Sequence, residues 1–230
     1  MEVLDKGFVK LVDYLGGDKT VVNSARVSYD GVSKGEEADN KLIEYLYNNE
    51  HLTPFEHCQI TFHVKCPIFV ARQWFRHRTG KYNEISGRYV EFKDEYYIPD
   101  AHRICGQSKD NKQCSGDALT LDVQRKARDK IEEACNNSFK EYYELLNSGV
   151  AREIARGVLP LNTYTQFYFT IDLRNLFNFI KLRLHSHAQY EIQVYAEKML
   201  EIIKKLYPVS TKVFCTKNNI EFRNNVDLLN

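Results

Sequence analysis

Residues 76–88 read RHRTGKYNEISGR. Arg76, His77, Arg78, Asn83, Glu84, Ser86 and Arg88 supply donors and acceptors with almost no apolar surface beside them. Guanidinium groups present several N–H donors in one plane and stay charged at any physiological pH, which suits a phosphate. Arg76, Arg78 and Arg88, with the Ser86 hydroxyl and Gly87, could cradle one, and Gly87 would let the backbone approach closely. Glu84, ionised amid these charges, could orient a ribose hydroxyl or one of the arginines. The plain alternative is a solvated loop of ion pairs. Ser86 near His77 also raises a serine nucleophile, but no G-x-S-x-G elbow surrounds it, and the arginines favour anion binding over hydroxyl activation.

Other polar residues fall at helical spacing. Arg174 and Asn178 are four apart in LRNLFNFIKLR, as are Arg152 and Arg156 in AREIAR, and each pair is equally a surface stripe. In RLHSHAQ, Arg183 and His187 share a helical face. His185 and His187 diverge by about 200° on a helix, so a pair of structural histidines is expected there and no metal site. His51, Thr53, Glu56 and His57 form a polar knot around Pro54 that a helix cap alone would explain. Six cysteines (Cys58, Cys66, Cys105, Cys114, Cys135, Cys215) show no CxxC pair and no zinc-ribbon spacing. They read as reduced, mostly structural thiols, with a Cys105–Cys114 disulfide left open.

The elements that must position these residues read as α+β and helix-heavy, with strands not in βαβ order. GFVKLVDYL alternates as an N-terminal strand, Gly16-Gly17 breaks it, and Asp18 caps a helix through TVVNSARVSY. GVSKGEEADN is a polar loop, and KLIEYLYNN is a helix with Leu42, Tyr45 and Leu46 on one face. Thr53 is a natural N-cap with Pro54 at the first helical position. QITFHVKC alternates as a half-buried strand. Pro67 opens a helix through PIFVARQWFRHR, on which Arg72, Gln73 and Arg76 crowd one face. RYVEFKDEYYIP is extended, SKDNKQCSGD is a loop, and the long helical pattern from Ala118 is closed by Gly149. VAREIARGVL is helical, TYTQFYFTI is β-rich, and helices cover LRNLFNFIKLRL and the stretch from Gln189 to Leu206. A polar tail follows Pro208.

Composition narrows the function classes. The chain has 230 residues, 43% of them apolar, so a sizeable core is available. The formal charge is +1, without the basic excess of a protein that binds nucleic acid mainly through phosphates. MEVLDKGF has no signal-peptide pattern and no apolar run suggests a membrane span, so a cytoplasmic protein is expected. Neither GxGxxG nor GxxxxGK[ST] is present, so a dinucleotide or flavin would be held by side chains rather than by a Rossmann turn.

RHR followed after seven residues by Ser resembles the signature of the flavin-dependent thymidylate synthases. TPFEH (53–57), FVARQWFRHR (69–78), NEISGRY (83–89), VLPLNTYT (158–165) and LRLHSHAQYEI (182–192) extend the resemblance over nearly the whole chain. It implies one domain over 1–230 with a mostly antiparallel sheet and flanking helices, assembled as a homotetramer with active sites at subunit interfaces. It also implies conversion of dUMP to dTMP, with methylenetetrahydrofolate as carbon donor, NADPH as reductant through FAD, and no enzyme cysteine as nucleophile. Carried over by motif, Gln73, Arg76, Glu84, Ser86, Gly87, Arg88, Arg156 and Arg183 would meet dUMP, with 84–88 reaching across a subunit boundary. Arg183 would lie against the uracil ring and carry the catalytic role. Ser28, His51, Thr53, Arg76, His77, Arg78, Glu84, Asp172, Arg174 and Asn178 would line the flavin. Two residues depart from the family pattern: Lys81 stands where Ser is frequent, and Asp172 where Asn is common near the flavin. An ionised Asp accepts hydrogen bonds but donates none. An RNA-binding module using the arginine-rich loop, or a folate- and flavin-using RNA methyltransferase, are the competing readings; the missing Rossmann glycines weigh against the second.

Overall fold

The computed structural model describes residues 1–29 and 33–221; the side chains at 28 and 29 lie outside that description, and with them the expected flavin contact of Ser28. In chain order the elements are β1 (Glu2–Val3), β2 (Gly7–Leu15), α1 (Asp18–Ala25), α2 (Glu36–Asn48), β3 (Gln59–Pro67), α3 (Ile68–Trp74), β4 (Lys81–Glu84), β5 (Cys105–Gln107), β6 (Ser115–Ala118), α4 (Leu121–Asn147), α5 (Arg152–Ala155), β7 (Tyr164–Asp172), α6 (Leu173–Arg183), α7 (Tyr190–Leu206) and α8 (Pro208–Asn218). Five strands form one antiparallel sheet in the order β1-β2-β3-β7-β4, and β5 and β6 form a separate hairpin. The architecture is the expected α+β one.

Strand alternation sets the two faces of the sheet. Ile60, Phe62 and Val64 of β3 pair with Ile171, Phe169 and Phe167 of β7 and are buried. On the opposite face the intervening pairs are polar: Thr61 and Thr170 share a hydrogen bond of 2.9 Å, and His63 stacks on Tyr168. The buried face is covered by α3 and the pair α6–α7, and Trp74 of α3 meets Phe167, Phe169, Phe179 and Tyr195. A second cluster, built on Tyr96, Cys135, Phe139, Tyr142 and Ala155, packs beneath α4. Among the described residues no helix is long and apolar enough to cross a membrane.

Several expected boundaries move, each for a local reason. A bulge between Leu11 and Asp13 interrupts the alternation expected along β2. Asp18 opens α1 rather than capping it; its carboxylate instead accepts from the backbone N–H groups of Val209 (2.8 Å) and Ser210 (2.9 Å) and from the Ser210 hydroxyl, capping α8. With Pro208 at its first turn, the segment expected as a polar tail is thus a helix. α2 begins inside the expected loop, at Glu36, because Glu36, Glu37 and Asp39 suit the positive end of a helix. Its buried face is Ile43, Leu46 and Tyr47, while Tyr45 is 56% exposed. Thr53 starts a 3₁₀ turn over Thr53–His57 whose N-cap is Leu52.

The segment expected to be helical to Arg78 stops at Trp74, so Arg72 and Arg76 do not share a helical face. α6 likewise ends at Arg183, which removes the expected pairing of Arg183 with His187. α5 is one turn, followed by a 3₁₀ turn at Arg156–Val158, so Arg152 and Arg156 lie on no common α-helix. The loop expected at 108–117 contributes part of β6, and the segment 88–99 makes only a single bridge, Tyr96 to Thr163. The long helix starts at Leu121 rather than Ala118, which belongs to β6, and Gly149 follows its end as expected, at φ 84°.

Candidate active site

The opening motif is less uniformly solvated than its composition suggests. Residues 81–84 form the edge strand β4, with Tyr82 opposite Phe169 and Glu84 opposite Phe167 on the core face. Tyr82 stacks on Phe169 at 5.1 Å, and its hydroxyl donates to the carbonyl oxygens of His77 (2.8 Å) and Trp74 (3.2 Å). This tyrosine therefore ends α3 and fixes the backbone of the RHR segment, and burial raises its pKa. Sequence reading missed it, although the alternation in KYNE carried the signal. Gly80 is also dictated by packing, since a Cβ there would lie 2.3 Å from the Phe169 ring.

Within that frame His77 and Arg183 meet. Arg183 Nε donates to His77 Nε2 at 3.0 Å, and Arg183 Nη2 donates to the Gln73 carbonyl oxygen at 2.7 Å. The His77 ring packs edge-on against Phe179 at 4.7 Å. Burial, and then the Arg183 charge, push the His77 pKa down to about 4, so the ring is neutral and accepts at Nε2. That arrangement places its proton on Nδ1. Burial also lowers the pKa of Arg183. The Gln73 side chain donates to Gln189 Oε1 at 2.6 Å, linking α3 to the start of α7. Gln189 is a second position that sequence reading did not single out.

By contrast Arg76 and Arg78, on either side of His77, are exposed and make no hydrogen bond or ion pair among the described residues. The Arg156 side chain is likewise exposed and makes no hydrogen bond or ion pair among the described residues. Two-sided placement follows from the chain geometry, which turns His77 inward and its neighbours out.

A second group lies at the far end of α6. Asp172 caps this helix, accepting from Asn175 N at 2.9 Å and from the Asn175 side chain at 2.7 Å. Both of its carboxylate oxygens are thus used in the cap, which accounts for an acceptor-only residue at that position. Arg174 pairs with Glu56 of the Thr53–His57 turn. Arg174 and Asn178 line a cavity of about 320 Å³ with Tyr47, Leu52, Phe55 and Phe177. Thr53 is exposed nearby in sequence, and His51 packs edge-on against Tyr45 at 5.8 Å.

The third group is the end of the motif. Glu84 accepts from the Thr165 hydroxyl at 2.6 Å. Ser86 Oγ accepts from the Arg88 N–H at 3.3 Å, and Arg88 Nε lies 3.9 Å from Glu153, just before Arg156. No base contacts Ser86 Oγ among the described residues, which suits a ligand better than a nucleophile. Gly87 is buried, and a Cβ there would meet the Phe92 ring at 2.2 Å, so packing requires a glycine at this position.

No hydrogen bond or ion pair among the described residues joins these three groups to one another. The thiols of Cys58 and Cys215 are pushed up to about 11 by burial, and Cys66 is raised well above its ordinary range. Cys105 and Cys114, on the β5–β6 hairpin, are free thiols. Among the described residues no three His, Cys, Asp or Glu side chains could hold a metal ion, and His185 and His187 lie edge-on in the turn after α6.

The antiparallel sheet, edged by β4 and backed by α3, α6 and α7, thus carries a half-buried Arg183–His77 pair. Residues 10–209 match the family described as thymidylate synthase complementing protein. The flavin-dependent thymidylate synthase of Thermosipho africanus is 51% identical over 93% of this chain and 92% of its own length. That of Wolbachia pipientis wMel is 50% identical over 93% and 75%, respectively. A crystal structure of PolB from Streptomyces cacaoi, a UMP/dUMP methylase bound with 5-Br dUMP, superposes with a TM-score of 0.85 at 38% identity, over 94% of this chain and 97% of that one. The chain belongs to the flavin-dependent thymidylate synthase family.

Proposed function

We propose that this protein converts dUMP to dTMP, with methylenetetrahydrofolate as carbon donor and NADPH as reductant through FAD. The observation that carries the reading is Arg183, a guanidinium held by a neutral imidazole and a backbone carbonyl, with no carboxylate to neutralise it. A half-buried cation so fixed stabilises negative charge developing on a bound uracil ring as its C5 becomes nucleophilic. Gln73, at the end of α3, and the exposed guanidinium of Arg76 would receive the nucleotide. Ser86, the backbone of Gly87, Arg88 and Arg156 supply donors for its phosphate, and Glu84 accepts a hydroxyl.

The residues fit a flavin dinucleotide: Arg78, Arg174 and Asn178 are exposed donors, and the last two open onto the cavity beside α6. When bound, FAD would supply the redox and one-carbon chemistry, while the chain orients substrates and stabilises charge. Burial raises the thiols of Cys58, Cys66, Cys135 and Cys215, which supports a reaction in which none of these four serves as nucleophile. The active site would be completed by neighbouring copies in a homotetramer, a reading supported by the lack of any hydrogen bond or ion pair between the three groups among the described residues.

Incubating the purified protein with FAD, NADPH and methylenetetrahydrofolate tests the reading, with dUMP or UMP as the pyrimidine. The expected result is dTMP from dUMP and little methylation of UMP. Preferential methylation of UMP, or of an RNA, would contradict it. Relatives about half identical to this chain are named thymidylate synthases, which favours dUMP over the dual substrate of PolB.

A further inference from the structure

A cavity of about 740 Å³ opens between the β5–β6 hairpin and the start of α7, and the three groups above do not use it. Its volume is that of a pocket for a sizeable ligand. Gln189 lines it and also accepts from the Gln73 side chain, so the cavity borders the group that holds Arg183.

Two charged residues line it as well. Glu191 is 7% exposed, and among the described residues its carboxylate meets the Tyr97 hydroxyl at 3.3 Å and no cation. Arg103, from the turn Ala101–Arg103 before the hairpin, lies 4.0 Å over the Tyr190 ring. Its Nε is buried without a hydrogen-bond partner, and its guanidinium makes no ion pair among the described residues. The two do not pair with each other, yet both act on Tyr97: burial and then Glu191 raise its pKa, and Arg103 opposes them. A buried carboxylate without a cation and a buried N–H without an acceptor are costly unless a ligand meets them.

A guanidinium donor beside a carboxylate acceptor complements a planar amide, whose oxygen accepts and whose nitrogen donates. Among the reactants of the reading above, NADPH carries such a group as the carboxamide of its nicotinamide, and methylenetetrahydrofolate has a related edge on its pterin. The rest of the wall separates them. Gln107, Gln113, Ser115 and Gln193 offer polar groups, and one face of the Tyr190 ring is covered by Arg103. That lining matches the hydroxyls of a ribose and offers little apolar surface to the aminobenzoyl arm of a folate. We propose that this cavity receives the nicotinamide end of NADPH, with Arg103 donating to the carboxamide oxygen and Glu191 accepting from its N–H group. The inference rests on NADPH as the reductant and adds where it docks.

Anaerobic reduction of the FAD-loaded protein, in which a hydride passes from NADPH to FAD, tests it through the loss of flavin absorbance. Arg103→Met should raise the NADPH concentration for half-maximal reduction about tenfold, as loss of one charge-assisted hydrogen bond predicts. Calorimetric titration of the same protein with NADP+ should show a similar weakening. Glu191→Gln should narrow the preference for NADPH over its reduced 3-acetylpyridine analogue, which keeps the carbonyl oxygen and lacks the N–H donors. Dithionite reduces the flavin without NADPH, and Arg103→Met so reduced should form dTMP as the wild type does. Unchanged NADPH dependence in Arg103→Met would overturn the inference. So would slow dTMP formation after dithionite, which would give the cavity to the folate or to the fold. A wild type that forms dTMP after dithionite and is not reduced by NADPH would overturn the choice of reductant itself.

Discussion

His77 is neutral because burial beside a guanidinium disfavours the imidazolium, and its role follows from that state. Its Nε2 can accept from Arg183 only while unprotonated. With a folded-state pKa of about 4 against an ordinary value near 6.5, the unfolded chain binds more protons between those limits. Stability contributed by this site is therefore complete above about pH 6.5 and falls as pH drops toward about 4. Activity should fall over the acid end of the same window as Arg183 loses its acceptor. His77→Gln keeps an acceptor and should flatten that acid limb, whereas His77→Phe should lower kcat across the whole range. A pH profile of kcat checks both, and an acid limb in His77→Gln identical to wild type would show that another group governs it. At Ser86 the geometry favours a ligand, so Ser86→Ala should raise the KM for dUMP about tenfold, the order of one charge-assisted hydrogen bond, more than it lowers kcat.

Among the elements, α8 depends on a residue almost the whole chain away. Asp18 satisfies two N–H groups in the first turn of α8 and the Ser210 hydroxyl. Asp18→Ala should cost about 1–2 kcal/mol, seen as a lower midpoint in urea with little change in flavin binding. That contact also shows why α8 was illegible in sequence. PVSTKVFCTKN lacks a strong apolar stripe, and its cap comes from the other end of the chain. Elements with strong local patterns were legible: the alternation in QITFHVKC, the aromatic run in TYTQFYFTI and the Gly149 stop after α4. The end of α3 was not, because a Tyr82 hydroxyl from β4 takes the carbonyls that a longer helix would have used. In the candidate site, the arginines were readable as anion ligands. The inward turn of His77, the capping by Asp172 and the packing need at Gly87 arise from tertiary neighbours and could not be read from spacing.

At the scale of the whole molecule, no hydrogen bond or ion pair among the described residues joins Gln73, His77 and Arg183 to Ser86, Arg88 and Arg156, or either group to Arg174. Each group is built on a different edge of the same frame: the α3–α6 junction, the outer end of β4, and the other face of α6. The proposed site needs all three and would be completed by neighbouring copies, so light scattering should report a tetramer. The same arrangement predicts complementation. Arg183→Ala and Arg88→Ala subunits, each prepared alone, should bind flavin and make almost no dTMP. Subunits of the two kinds, unfolded and refolded together, should recover dTMP formation, because a mixed assembly contains sites with both arginines intact. Wild-type turnover in Arg183→Ala alone, or no recovery in mixed tetramers that hold both kinds of subunit and bind flavin, would contradict the account.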